Sequence, residues 1–173
     1  VTGISLYQAN LQTYKYLPYG ISVQIAVGEK NEQVHLIDWQ NPEKNDFALA
    51  EEVTLRGGYE RRPDIVLYIN GIAVSVIELK RSSVEVADGI RQLRTNQEKI
   101  FNEGFFSTIQ LLFAGNDSQG LHYGTVTTEE KLFVQWKSSN SDLKTTGSLL
   151  DNPLSEMCEK SKLLDLIQNF IIF

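Results

Sequence analysis

Two apolar runs, Ile65 to Ile69 and Ile72 to Leu79, stand either side of Asn70-Gly71 and give the chain its clearest pattern. Asn-Gly between runs rich in Val and Ile predicts a β-hairpin: β-branched residues suit a pleated surface, and Asn and Gly accept the backbone of a tight turn. Upstream, Leu6, Leu11, Tyr14 and Leu17 recur near helical spacing before Pro18 and Gly20, which predicts a helix over Ile4 to Leu17. Ile21 to Val27 alternates and predicts a strand closed by Gly28; Val34 to Trp39 predicts a second and Phe47 to Leu55 a third. Asn41 to Asp46 is turn chemistry, because Asn and Asp fold back on their own backbone and Pro42 cannot continue a ladder. Gly57-Gly58 separates this part from the hairpin.

After the hairpin, Ser82 or Ser83 can cap a helix running from about Val86 to Asn102, with Ile90, Leu93, Gln97 and Ile100 along one side and Gly104 as its stop. Gln92 and Asn96, four apart, share a neighbouring face of it. Ile109 to Ala114 is almost continuously apolar, as in a central strand covered on both faces. Leu121 to Thr127 and Leu132 to Trp136 read as shorter strands, and Ser138 to Gly147 as a polar loop. Asn152 can cap a last helix with Pro153 at its first position, running to Phe173.

Composition narrows the class. With 173 residues, 42% hydrophobic and 22% charged, the chain has the make-up of one ordinary globular domain able to bury a core. Its single cysteine, Cys158, excludes an internal disulfide and fits a reducing cytoplasm. No run approaches the ~18 apolar residues of a membrane span. The first residue is Val1, not Met, and the last four, Phe170-Ile171-Ile172-Phe173, break off in an apolar pattern, so we read the chain as a piece of a longer polypeptide. The net charge of −6 argues against an independent nucleic-acid binder. Yet Arg56 to Lys99 holds eight basic and six acidic residues, a local net of +2, against −8 in the remainder. The local sign suits DNA. No glycine-rich phosphate loop is visible, so no nucleotide-triphosphate site is expected within these residues.

The candidate chemistry lies at the ends of the hairpin. Asp64 opens the first strand, and Glu78 and Lys80, two apart and so on one face, close the second. Such groups are costly in a core unless they are used. Asp64 and Glu78 suffice to hold Mg²⁺ (or Mn²⁺) against a phosphodiester, with the backbone carbonyl of Leu79 as a third oxygen. Lys80 can orient or deprotonate an attacking water or stabilise charge on the phosphate; residue types do not choose among these. A plain salt bridge between Glu78 and Lys80 is the alternative. Asp38, Glu43 and Asp46 read better as a solvated loop than as ligands. The face is a matter of register. A two-residue turn pairs Ile69 with Ile72 and puts Asp64 and Glu78 on opposite faces. A three-residue loop with Gly71 left-handed as a bulge, or an odd register shift elsewhere in the hairpin, brings them together. The loop with the bulge is expected here.

Arg62-Pro63-Asp64 followed by Glu78-Leu79-Lys80 resembles the Pro-Asp…(Asp/Glu)-x-Lys signature of restriction endonucleases and their relatives. The wider text is more specific. Leu36 to Phe47, Arg61 to Gly71 and Leu163 to Phe173 resemble the restriction (motor) subunit of type I restriction–modification enzymes. The resemblance implies an α/β restriction-endonuclease-like core, a mixed β-sheet flanked by helices. It implies a nuclease domain over residues 1–147 and, over 148–173, a helical segment leading to helicase domains outside the chain. It implies Mg²⁺-dependent cleavage of double-stranded DNA, with Asp64, Glu78 and Lys80 catalytic and Arg61, Arg62, Arg81, Gln92 and Arg94 binding DNA or coupling to it. ATP would act only through the absent helicase domains, and the partners would be the methylation and specificity subunits. The family's Gln-x-x-x-Tyr motif is half kept: Gln92 is present, but Asn96 stands where the Tyr is expected. Two alternatives remain, a resolvase- or RecB-like repair nuclease and a non-catalytic docking module with the same fold.

Overall fold

The computed structural model describes residues 3–138 and 148–173, so all of the expected polar loop but Ser138 lies outside the described residues. In chain order the elements are α1 (Leu6–Tyr19), β1 (Ile21–Val23), β2 (Glu32–Val34), β3 (Phe47–Glu51), β4 (Ile65–Ile69), β5 (Ile72–Leu79), α2 (Val86–Asn96), β6 (Leu111–Asn116), β7 (Gly120–Gly124), β8 (Val134–Gln135), α3 (Asp151–Met157) and α4 (Lys160–Asn169). Strands β3 to β8 form one sheet in sequence order, and β1 and β2 pair separately. Neighbours are antiparallel except β5 and β6, whose parallel pairing requires the crossover that α2 supplies. The architecture is the mixed α/β sheet flanked by helices that the family resemblance implies.

The sheet separates two cores. On one face Val66, Val76, Leu112 and Ala114 pack with Ile90 and Leu93 of α2. On the other, Leu67, Ile77, Leu111 and Phe113 pack with Met157 of α3 and with Leu163, Leu164 and Ile167 of α4. β6 is buried at every position, as a central strand covered on both sides must be. Helix α1 contributes to both cores, Leu6 to the first and Leu17 to the second. It is fastened by Asn10, whose buried amide donates to the carbonyls of Phe106, Ser107 and Ile109 at 3.3, 3.2 and 2.6 Å.

Several expected boundaries move. β1 stops at Val23, because Ile25 and Val27 find nothing to pack on and stay exposed. β2 ends where the second strand was expected to begin. Leu36 to Trp39 belongs instead to a loop in which Asn45 accepts from the Asp38 N–H at 2.8 Å, a side-chain bond that removes this backbone from any ladder. There Asp38 accepts from the backbone of Gln40 and Asn41, the expected solvated loop. β3 closes at Glu51, since Glu52 has a φ of 50°. Neither Ser82 nor Ser83 caps α2: Glu85 holds that position, and the Gln119 side chain accepts from the Val86 N–H at 2.7 Å. The helix stops at Asn96, six residues short of the expectation, and Ile100 is exposed. β7 and β8 are likewise shorter than expected; Thr125 to Thr128 turns on its own side chains. The single last helix is two, because Glu159 caps α4 by accepting from the Ser161 and Lys162 N–H groups at 3.1 and 2.8 Å. Asn152 caps nothing there; it lies inside α3, beside Pro153.

Candidate active site

The hairpin reaches its geometry by another route than the expected loop. Ile69 does pair with Ile72, and Asn70 and Gly71 take φ of 51° and 79°, a two-residue turn with both central residues left-handed. Asn70 also anchors the turn, donating to the Leu36 carbonyl at 2.8 Å and accepting from the Asp46 N–H at 2.7 Å. The shift comes further along. Tyr68 faces Ala73 but Leu67 faces Ser75, so Val74 is an extra residue in β5 and a β-bulge. Beyond it Ile65 lies opposite Ile77, which brings Asp64 alongside Glu78. The expected three-residue loop is therefore wrong, while the positive φ of Gly71 and the even register both stand.

Four side chains meet at this end of β5, on the α2 face. Lys80 Nζ donates to Glu78 Oε1 at 2.7 Å and to Gln92 Oε1 at 2.9 Å. Asp64 Oδ2 accepts from the Leu79 N–H at 2.7 Å. Glu78 is 1% exposed, and its second oxygen, Oε2, is buried with no partner among the described residues. Burial pushes its carboxyl above the ordinary carboxylate range, the charge of Asp64 adds to the rise, and the hydrogen bond from Lys80 opposes it. A carboxylate so placed is short of one electrophilic partner on Oε2. An oxygen-seeking divalent cation is such a partner, and Asp64 is the neighbouring second carboxylate, so the donor set fits Mg²⁺ or Mn²⁺. Among the described residues no cluster of three or more His, Cys, Asp and Glu occurs.

The remaining expected residues divide. Gln92 joins the cluster through its bond from Lys80, a contact not foreseen from its position on a helix. Arg61 closes a bridge to Leu55 and lays its guanidinium over the Phe101 ring, 3.8 Å from the centroid. Arg62 is exposed and pairs with Glu52 at 3.5 Å; Arg81, next to Lys80, is exposed. Arg94 is not brought to the site: two residues beyond Gln92, it sits about 200° round the helix and borders a polar hollow with Glu98 and Glu103. Asn96, on the Gln92 side, is fully buried with both amide atoms unpartnered among the described residues. One contributor was missed. A Cβ on Gly89 would stand 3.5 Å from Lys80 Cγ and 3.4 Å from Ala114 Cβ, so α2 lies close against the lysine stem. A glycine inside a helix costs about 1 kcal/mol, and that cost was the available signal.

Comparison with known proteins gives one family. The model described as "Type I restriction enzyme R protein N terminus" matches residues 2–131. The chain is 28% identical over 169 residues to the putative type I restriction enzyme MjaVIIIP endonuclease subunit of Methanocaldococcus jannaschii, covering 91% of this chain and 15% of that protein. It is 25% identical over 175 residues to the type I restriction enzyme HindI endonuclease subunit of Haemophilus influenzae, covering 95% and 16%. With the type I restriction enzyme EcoprrI endonuclease subunit of Escherichia coli it shares 23% identity over 149 residues, 82% of this chain and 46% of that one. The chain thus spans under a fifth of the length of the first two.

Proposed function

The chain belongs to the family of type I restriction enzyme R protein N termini, and on that footing we propose that it is a Mg²⁺-dependent endonuclease domain cutting the phosphodiester bonds of duplex DNA. One observation carries the reading: Glu78, buried beside a second carboxylate, keeps an oxygen that nothing among the described residues satisfies. Asp64, Glu78 and Lys80 are the catalytic side chains. When bound, the metal supplies a polarised phosphoryl oxygen and a more acidic water.

The chain's own residues do the rest. The Leu79 N–H fixes the Asp64 carboxylate, leaving its other oxygen to the ion. In a strand the N–H and C=O of one residue point to the same edge, so the Leu79 carbonyl faces the Asp64 side as a third oxygen. Glu78 Oε1 and Gln92 Oε1 hold the Lys80 ammonium from two directions, which aims it where a water or a phosphate oxygen would sit. Exposed Arg62 and Arg81 flank the cluster in sequence and contact the DNA backbone, as Arg61 does from its seat on Phe101. We assign the domain a place in a cytoplasmic assembly with methylation and specificity subunits. Residues 148–173 lead on to ATP-driven helicase domains.

The test uses the full-length subunit in its assembled enzyme. Asp64→Ala, Glu78→Ala and Lys80→Ala should each abolish cleavage while ATP hydrolysis and translocation persist. Calorimetric titration with Mn²⁺ should show an ion lost in the two carboxylate variants. A docking module with this fold would show neither effect, and retained cleavage in any variant would remove that residue from the site.

A further inference from the structure

The chain does not run directly from β3 to Asp64. It detours through a small hairpin closed by Leu55 and Arg61, whose backbones exchange hydrogen bonds of 2.8 and 3.2 Å. Leu55 is buried, but Arg56 to Glu60 are exposed, and Tyr59 at the tip is 70% exposed. A loop that buries so little ordinarily opens readily. This one is fastened to the segment following α2. The Tyr59 N–H donates to the Ile100 carbonyl at 2.9 Å. Asn102, 2% exposed, accepts from the Gly57 N–H at 2.8 Å and donates to the Tyr59 carbonyl at 3.3 Å. Arg61 stacks on Phe101, and a Cβ on Gly58 would collide with the carbonyl oxygens of Ile100 and Phe101.

The tip therefore presents an aromatic hydroxyl on a fixed backbone, with the Arg61 guanidinium held on Phe101, and fixing these beforehand lowers the entropy cost of binding. Among the described residues Arg56 and Arg62 pair with exposed carboxylates, Glu60 at 3.7 Å and Glu52 at 3.5 Å. Exposed pairs of this kind contribute at most about 1 kcal/mol and exchange readily for phosphates. Tyr and Arg are both common donors to DNA phosphate oxygens. Arg61 is three residues from Asp64, so their Cα atoms are at most ~11 Å apart. That is about three base-pair rises along the duplex axis, at ~3.4 Å each.

We propose that the Leu55–Arg61 hairpin is a preformed duplex-DNA contact, with Tyr59 as its gripping tip and Asn102 as the residue that positions it, holding the phosphate backbone a few base pairs from the bond that is cut. The proposal rests on the nuclease reading above. Its test places the photoreactive residue p-benzoylphenylalanine at position 59 of the full-length subunit in the assembled enzyme and irradiates it on duplex DNA. A DNA adduct is expected at 59 and none at 49, since Leu49 lies opposite Leu67 on the far face. Tyr59→Ala should slow cleavage about tenfold with ATP hydrolysis unchanged. Asn102→Ala, which removes both side-chain bonds to the hairpin, should lower the adduct yield at 59 with Mn²⁺ binding by the assembled enzyme retained. Absence of the adduct, or undiminished cleavage by Tyr59→Ala, overturns the hairpin's role while Asp64→Ala stays inactive. If Asp64→Ala cleaves normally, the nuclease reading itself falls, and the two failures are told apart.

Discussion

The two faces of the central sheet obey different rules. Under α3 and α4, Ile77, Phe113, Leu121, Met157 and Ile167 are essentially inaccessible and apolar, and the orphan that β5 turns to this face is the Ser75 hydroxyl. Under α2 the aliphatic layer of Val66, Val76 and Leu112 continues into Glu78 and Lys80 at the end of β5, and Asn96 lies buried on the helix above. A neutral hydroxyl without a partner is a small cost; a carboxylate without one is a large cost. One face is built for stability, and the other gives up stability to a polar cluster at the end of β5.

Mutation should separate them. The largest effect belongs to the apolar face. Phe113→Ala should cost about 3–5 kcal/mol, read from denaturant unfolding, and a loss below ~1 kcal/mol would remove the distinction. Next comes Glu78→Gln, with the opposite sign. Because its carboxyl is pushed up in the folded protein, ionised Glu78 opposes folding: the stability linked to its proton is present below the ordinary carboxyl range and lost as pH rises through the raised value. Glu78→Gln should therefore raise the metal-free Tm at pH 7, by about 2–4 °C per kcal/mol relieved, with the gain fading toward pH 4. Mn²⁺ should raise the Tm of the natural chain and not that of the variant. A fall in Tm at pH 7 would mean that the Lys80 bond outweighs burial.

Gln92→Ala is subtler. It should impair cleavage at unchanged Tm by freeing one side of Lys80; unfolding would make Gln92 a structural residue. The smallest effect is His122, opposite Ala114 on the α2 face, where burial lowers the imidazole pKa below its ordinary 6.5. The neutral ring is the favoured form, so its contribution is present above that range and lost as pH falls through it. His122→Gln should flatten the pH dependence of stability between about pH 7 and 5, and an unchanged slope would exclude it as a source.

What could be read beforehand was whatever local chemistry decides alone. The bounds of β4 and β5 emerge from residue type, because β-branched runs and Asn-Gly agree about the same hairpin. That Asp64, Glu78 and Lys80 can share a face was legible because spacing in a strand settles their faces once register is known. The bulge at Val74 was not, since it involves neighbours far along the chain: Val74 accepts from the N–H of Gln110, just ahead of β6, at 2.8 Å. Nor was the early end of α2, where Gln97 turns its amide to the carbonyl of Leu93 and the N–H of Thr127. The link from Gln92 to Lys80 depends on how α2 lies on the sheet. Leu36 to Trp39 misled because alternation says nothing about whether a partner strand exists.

The bulge also carries a rule for comparing sequences. Across a plain two-residue turn, facing residues are an odd number of positions apart, whereas Asp64 and Glu78 are separated by 14, an even number. A relative that keeps both the Asn-Gly turn and an even gap between its two acids must carry one unpaired residue somewhere in the same pair of strands. A single-residue insertion or deletion between the acids would turn one of them to the far side unless that unpaired residue were lost or gained with it. Gap parity, counted directly in a text of residues, therefore tells which relatives share this hairpin's construction.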